Sequence, residues 1–192
     1  MQVKSDILNE KIVEDKLSSK ESLDEKIVEE DNITWDFVAG FMQGDGHCGI
    51  RINKKIADKE KTFYAPMSYV IFSNSDEQFI QSLFNFLKKE GIRVRKFEHK
   101  RKRISYNIEI YHRESVQKIL ENIVNKLSSH KKKQVEIILY KFLPLKPKGI
   151  WGWNKERLRK AIELKGQISM LYDKGRWNAI HTIDYFERKG LI

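Results

Sequence analysis

The residues best suited to chemistry stand together in Phe37-Val38-Ala39-Gly40-Phe41-Met42-Gln43-Gly44-Asp45-Gly46. The spacing predicts a helix over residues 35–43, capped by Thr34 or Asn32 and stopped by the glycines around Asp45. Small residues at 39, 40 and 44 include a Gly-x-x-x-Gly step, which lets a second backbone approach this helix closely. Asp45 then falls at the helix foot, where the macrodipole already places roughly half a negative charge. A carboxylate is costly there unless a cation stands beside it, and hard divalent cations take carboxylate and carbonyl oxygens.

The elements that must position this acid follow from periodicity. Ile50 and Ile52 alternate with Arg51, Asn53 and Lys55, the pattern of a half-buried strand with a basic outer face, and residues 63–73 read as its returning partner. Phe79, Ile80, Leu83, Phe84 and Leu87 fall at helical spacing, with Ser75 or Asp76 as cap and Gly91 as stop. Two further strands are expected over 92–97 and 104–111, joined by the basic loop Lys100-Arg101-Lys102-Arg103. Helices follow over 116–123 and 135–142, separated by Ser128-Ser129-His130-Lys131-Lys132-Lys133-Gln134 and closed by Pro144 and Pro147. The fold class is α+β, with one antiparallel sheet covered by helices on its apolar face and open on a face bearing Arg and Asn. Residues 1–31 read as a flexible acidic tail, 32–146 as the main domain and 147–192 as a C-terminal helical appendage with helices over 155–165 and 176–189. Trp151, Trp153 and Trp177 are expected in the core of that appendage.

Charge is divided unevenly along the 192 residues. The net charge is +10, yet residues 1–31 hold five lysines against ten acids, and the other 161 residues hold 32 Lys and Arg against 17 Asp and Glu. A body this basic calls for a polyanionic partner, nucleic acid being the commonest. The tail, poor in apolar residues, either competes weakly with phosphate for the basic face or serves as a disordered solubility tail with no effect on it. One cysteine, Cys48, excludes a disulfide framework and a structural zinc site, and the absence of a long apolar run excludes a membrane span. The chain reads as soluble and intracellular. Lysine outnumbers arginine 27 to 10, a composition suited to an A·T-rich coding genome, so an organelle (chloroplast or mitochondrion) or a prokaryotic cytoplasm is the expected compartment.

Residues Val38 to Gly46 closely resemble the nine-residue motif of the LAGLIDADG homing endonucleases, with the Ala, Gly and final Asp-Gly identical and Gln43 in place of the motif's first acid. The order of elements over 33–143 agrees with that family. The resemblance implies an α-β-β-α-β-β-α unit whose saddle-shaped antiparallel sheet lies in the major groove of double-stranded DNA. One motif copy implies a homodimer joined through Ala39, Gly40 and Gln43. It also implies Mg²⁺, or Mn²⁺, held by Asp45 and the Gly44 carbonyl, and double-strand cleavage at a long near-palindromic site.

Two further positions carry over from the family. Asn74, at the end of the second strand, matches a polar residue that holds solvent near the metal, and Lys131 matches a lysine before the last helix of the body. Three lysines at a helix N-terminus oppose its dipole, which favours a phosphate partner for Lys131. Base reading falls to Arg51, Asn53, Lys55, Tyr69, Ile71, Arg93, Arg95, Arg103, Ser105 and Asn107, since Arg pairs with guanine and Asn with adenine in the major groove. His47 is expected to be structural or DNA-facing rather than a metal ligand. The competing functions are an intron RNA maturase and a DNA-binding module without cleavage.

Overall fold

The computed structural model describes residues 33–58, 61–100, 104–145, 153–172 and 183–192, and the side chains of 55–58, 61, 62 and 100 stand outside that description. The acidic tail, Arg101 to Arg103, Pro147, Trp151 and Trp177 therefore lie outside the described residues.

Helix α1 spans Trp35–Gly44, and Thr34 is its cap, the hydroxyl accepting from the Phe37 N–H at 3.3 Å. Strands β1 (His47–Asp58) and β2 (Lys61–Asn74) follow, then helix α2 (Glu77–Lys89), capped by the Asp76 carboxylate on the Phe79 N–H at 3.1 Å. Gly91 ends α2 with φ +72°, a left-handed turn that glycine adopts without steric cost. Strands β3 (Arg95–Lys100) and β4 (Ile104–Ile110) complete one antiparallel sheet in the order β1-β2-β4-β3. Helix α3 (Arg113–Ile123) leads through a short 3₁₀ turn to α4 (Ser129–Glu136), which continues as a π-helical segment, Ile137–Phe142. Helices α5 (Lys155–Met170) and α6 (Ile183–Arg188) close the described chain.

The strand expected over 92–97 begins three residues late, at Arg95. The reason lies in the helix end: the Gly91 and Ile92 N–H groups donate to Lys88 and Leu87 carbonyls, and the Arg93 N–H donates to Ser115 Oγ. Those donors are spent on α2 and α3 before a ladder can start.

Alternation sorts the sheet into two faces. Cys48, Ile50, Val70, Phe72, Ile108 and Ile110 are buried and meet Val38 and Met42 of α1, Ile80 and Leu83 of α2, and Val116 and Ile119 of α3. Ala161, Leu164 and Ile168 of α5 belong to this same core, so the segment expected as an appendage covers the sheet beside β1. Residues 33–192 form one compact unit. Trp153 stacks on Phe142 with ring centroids 6.0 Å apart. A smaller cluster of Ile52, Leu158, Ile162 and Phe186 ties α6 to the far part of β1. No described helix is long and apolar enough to cross a membrane.

Candidate active site and nucleic-acid face

Asp45 is the residue that closes α1: its N–H donates to Phe41 O at 3.0 Å, and its carboxylate is exposed. The chain then turns straight into β1, and the turn depends on Gly46. A Cβ at residue 46 would stand 2.6 Å from Met42 Cα, closer than two such atoms approach. Asp45 is thereby held at the junction of helix and sheet.

Helix α4 is laced to this junction by three side chains. The Ser128 N–H donates to Gln43 Oε1 at 3.1 Å, Lys131 Nζ donates to the Gly46 carbonyl, and Gln134 Nε2 donates to the Cys48 carbonyl at 2.5 Å. Lys131 is half-buried, and burial lowers its pKa from the ordinary 10.5, while the Asp45 charge works in the opposite sense. The structure thus brings Asp45 and Lys131 to one place. Asn74 lies at the same end of the sheet, three residues beyond Ile71, the partner of His47. Its Oδ1 accepts from the Asp76 N–H at 2.9 Å and turns the chain into α2.

The Asp45 carboxylate makes no hydrogen bond or ion pair with another described residue, and no group of three or more His, Cys, Asp or Glu side chains converges among the described residues. The donor set at this foot is one carboxylate plus backbone carbonyls, Gly44 included. That set fits Mg²⁺, which keeps several waters and is held by one or two carboxylates together with substrate phosphates.

The open face of the sheet carries Arg51, Asn53, Tyr69, Ile71, Arg95, Ser105 and Asn107, as alternation about the buried positions requires. Arg93 precedes β3, and its guanidinium lies 3.1 Å from His112 Nε2. Arg103 and the side chain of Lys55 lie outside the described residues. A groove of about 700 Å³ opens here between Arg51, Asn53, Met67, Arg93, Arg95 and Glu109. Arg51 is the most constrained of these cations. Its guanidinium stands 5.2 Å from the Tyr69 ring centroid and 5.7 Å from that of Tyr111, and Nη1 donates to Tyr111 Oη at 3.4 Å. Tyr111 in turn donates to Glu109 Oε2 at 2.8 Å. His47 pairs with Tyr69 Oη at 2.8 Å, and burial, Lys131 and Arg51 lower its pKa, which favours the neutral ring. His47 therefore stands on the open face beside Tyr69.

Periodicity missed Tyr111, Met67 and Phe97 on this face, and it missed Gln134 and Tyr172 behind Lys131. Tyr111 follows the last residue of β4 and continues its alternation, so its parity was readable. Nothing in the sequence pairs Gln134 with Tyr172, 38 residues away.

On the exposed side of α1, Gly40 and Gly44 have nothing within 4 Å of an added Cβ. Ala39 is only 2 % exposed and packs in the chain's own core, and Gln43 is engaged with Ser128. The exposed residues of the helix are Asp36, Phe37, Gly40, Gln43 and Gly44.

A family model described as LAGLIDADG endonuclease matches residues 38–142. Among solved structures, the homing endonuclease I-CvuI in complex with its target in the presence of Ca superposes with a TM-score of 0.60 at 21 % identity, covering 82 % of this chain and 95 % of that one. The homing endonuclease I-TnaI gives 0.52 at 20 % identity over 71 % and 88 % of the two chains. The archaeal intron-encoded homing endonuclease I-Vdi141I, complexed with DNA, gives 0.56 at 11 % identity over 82 % and 97 %. At these identities the likeness is one of fold. No curated protein matches the chain.

Proposed function

Because the chain belongs to the LAGLIDADG endonuclease family, we propose that it is a site-specific, Mg²⁺- or Mn²⁺-dependent endonuclease that cuts both strands of duplex DNA as a homodimer. The observation that carries this reading is the meeting of an exposed carboxylate, Asp45, with a half-buried lysine, Lys131, at one end of a sheet whose open face bears arginines and amides.

The parts divide as follows. Duplex DNA lies on the open face, where Arg51, Arg95 and Asn107 read base edges and neighbouring lysines hold phosphate. Asp45 and the Gly44 carbonyl hold the divalent ion, which when bound polarises the scissile phosphate and lowers the pKa of nearby water. Lys131 stands beside the phosphate and offsets charge that develops on its oxygens during displacement. The amide of Asn74 orients solvent at the same end of the sheet. The open strip of α1, with Gly40 and Gly44 lacking neighbours, receives the same strip of a second copy in a twofold contact. Two copies then place two Asp45 carboxylates side by side and read two half-sites, so the target is a long near-palindrome. A binding protein alone, whether for RNA or DNA, gains nothing from holding an uncompensated acid beside phosphates, so the maturase reading is not favoured.

Selection of cleavage sites from a random duplex library in Mg²⁺ tests the proposal. A single long near-palindromic consensus, cut by the parent protein and not by Asp45→Asn, is the expected result. Cleavage that persists in Asp45→Asn would refute it.

A further inference from the structure

The end of α5 reaches the back of the proposed catalytic lysine. Tyr172, two residues beyond α5, donates its hydroxyl to Gln134 Oε1, and Gln134, 1 % exposed, passes the contact to the Cys48 carbonyl at 2.5 Å. Gln134 stands three residues after Lys131, on the same side of α4, and Cys48 stands two residues after Gly46, whose carbonyl receives Lys131. The ring of Tyr172 also lies 6.2 Å from that of His130, which precedes Lys131. A cavity of about 310 Å³ confirms the approach, since Lys165, Ser169 and Tyr172 line it together with His47, Tyr69 and Gln134.

We infer that Tyr172 is a positioning residue: through Gln134 it fixes the start of α4 against the start of β1 and so sets where Lys131 stands relative to Asp45. The inference rests on the catalytic reading of Lys131 given above. Gln134 is buried, and its amide offers one acceptor oxygen and one donor group in a fixed plane. With the donor committed to Cys48, the oxygen needs a donor of its own, and Tyr172 supplies it. Burial pushes the Tyr172 hydroxyl up to about 12, so it remains a donor throughout the working range. Without that hydroxyl the amide is free to flip or rotate, the lacing to Cys48 loosens, and Lys131 loses the support of the next turn of its helix. Lys131 touches the foot of α1 through a single hydrogen bond, so a small rotation of α4 displaces it directly.

The test is Tyr172→Phe, an isosteric change, measured on the selected DNA site. The single-turnover cleavage rate in Mg²⁺ is expected to fall about tenfold, because displacements of under an ångström at a reacting centre carry penalties of this order. The dissociation constant for the same DNA in Ca²⁺ is expected to stay within about twofold, since no DNA-facing residue changes. Ser169→Ala is the companion variant: its hydroxyl bonds the Lys165 carbonyl of its own helix, and its rate should equal the parent's. An unchanged rate in Tyr172→Phe, a rate and affinity that fall in proportion, or equal losses in both variants would each overturn the inference. A parent protein that cleaves no site would instead overturn the functional reading, and this inference with it.

Discussion

Asp45 is flanked by two glycines that the structure treats differently, and this contrast tests the proposed junction most directly. An alanine at residue 44 meets nothing within 4 Å, whereas an alanine at residue 46 places its Cβ 2.6 Å from Met42 Cα and 3.0 Å from Met42 Sδ. The sulfur can swing away, but the Cα cannot, because Met42 is fully buried in the core of α1. Gly46→Ala therefore forces the backbone apart, an overpacking that costs about 1–3 kcal/mol. For a chain of this size, with about 2–4 °C of melting temperature per kcal/mol, the expected drop is about 2–12 °C. Gly44→Ala should lie within about 1 kcal/mol of the parent, with the balance in favour of stability, because alanine prefers the helix. Thermal unfolding at a protein concentration low enough to keep every variant monomeric reads both, since residue 44 lies on the proposed dimer strip and an associating chain melts in a concentration-dependent way. The same displacement moves the Gly46 carbonyl that receives Lys131, so Gly46→Ala should also lose cleavage in excess of its loss of folded protein at 25 °C. Equal melting temperatures for the two variants would refute the reasoning, because the clash is the whole basis of the contrast.

The remaining predictions concern charge, reading and association. Lys131 has its pKa lowered by burial, so its cationic form is lost at a pH below the ordinary lysine value of 10.5. The cleavage rate should fall along an alkaline limb that starts below that value, and Lys131→Arg should move or abolish the limb, which a pH–rate profile on prebound DNA would show. Arg51 is held between Tyr69 and Tyr111, and Arg51→Ala should cost about 1–3 kcal/mol of discrimination at one base pair of each half-site, read by repeating the site selection. Gly40→Leu projects into open space, so it should leave the folded chain intact by circular dichroism but shift sedimentation from dimer to monomer; a dimer that survives would place the interface elsewhere.

How far the sequence could be read follows from the range of each interaction. The elements from α1 to α4 rest on periodicity and caps, which are local, and Thr34, Asp76 and Gly91 act where their types predict. The face assignment of Arg51, Tyr69, Arg95 and Asn107 is equally local, because a strand's two faces are fixed by the parity of its buried residues. Illegible features were contacts between distant segments. Ala39 belongs to the same small-residue stripe as Gly40, yet the packing of α1 turns it inward. Gln43 read as a departure from an acidic motif position, and its use emerges only when Ser128 arrives beside it. The late start of β3 was hidden for the same reason, as Ser115 takes the Arg93 N–H from 22 residues away. The C-terminal helix carried an apolar pattern that spoke of burial but not of which surface it would cover.

These long-range contacts also explain why the site can be precise. Residues 43, 46 and 48 on one side of the junction meet 128, 131 and 134 on the other, so the spacing of the acid and the lysine is set by helix and strand geometry. Sites built on regular elements hold their groups more tightly than sites on loops, because each rotamer is locked by packing behind it. Between the helix and β1 stand only Asp45 and Gly46, and Gly46 has no room for a side chain, which leaves little freedom there either. The exposed carboxylate of Asp45 makes no hydrogen bond or ion pair with another described residue. A single carboxylate cannot complete a divalent coordination sphere. Phosphate oxygens, water and the second copy's acid are the donors of the right chemistry to complete it. On the proposed function, the ion would be fully held only with DNA seated across two subunits, so cleavage would be coupled to recognition by the same geometry.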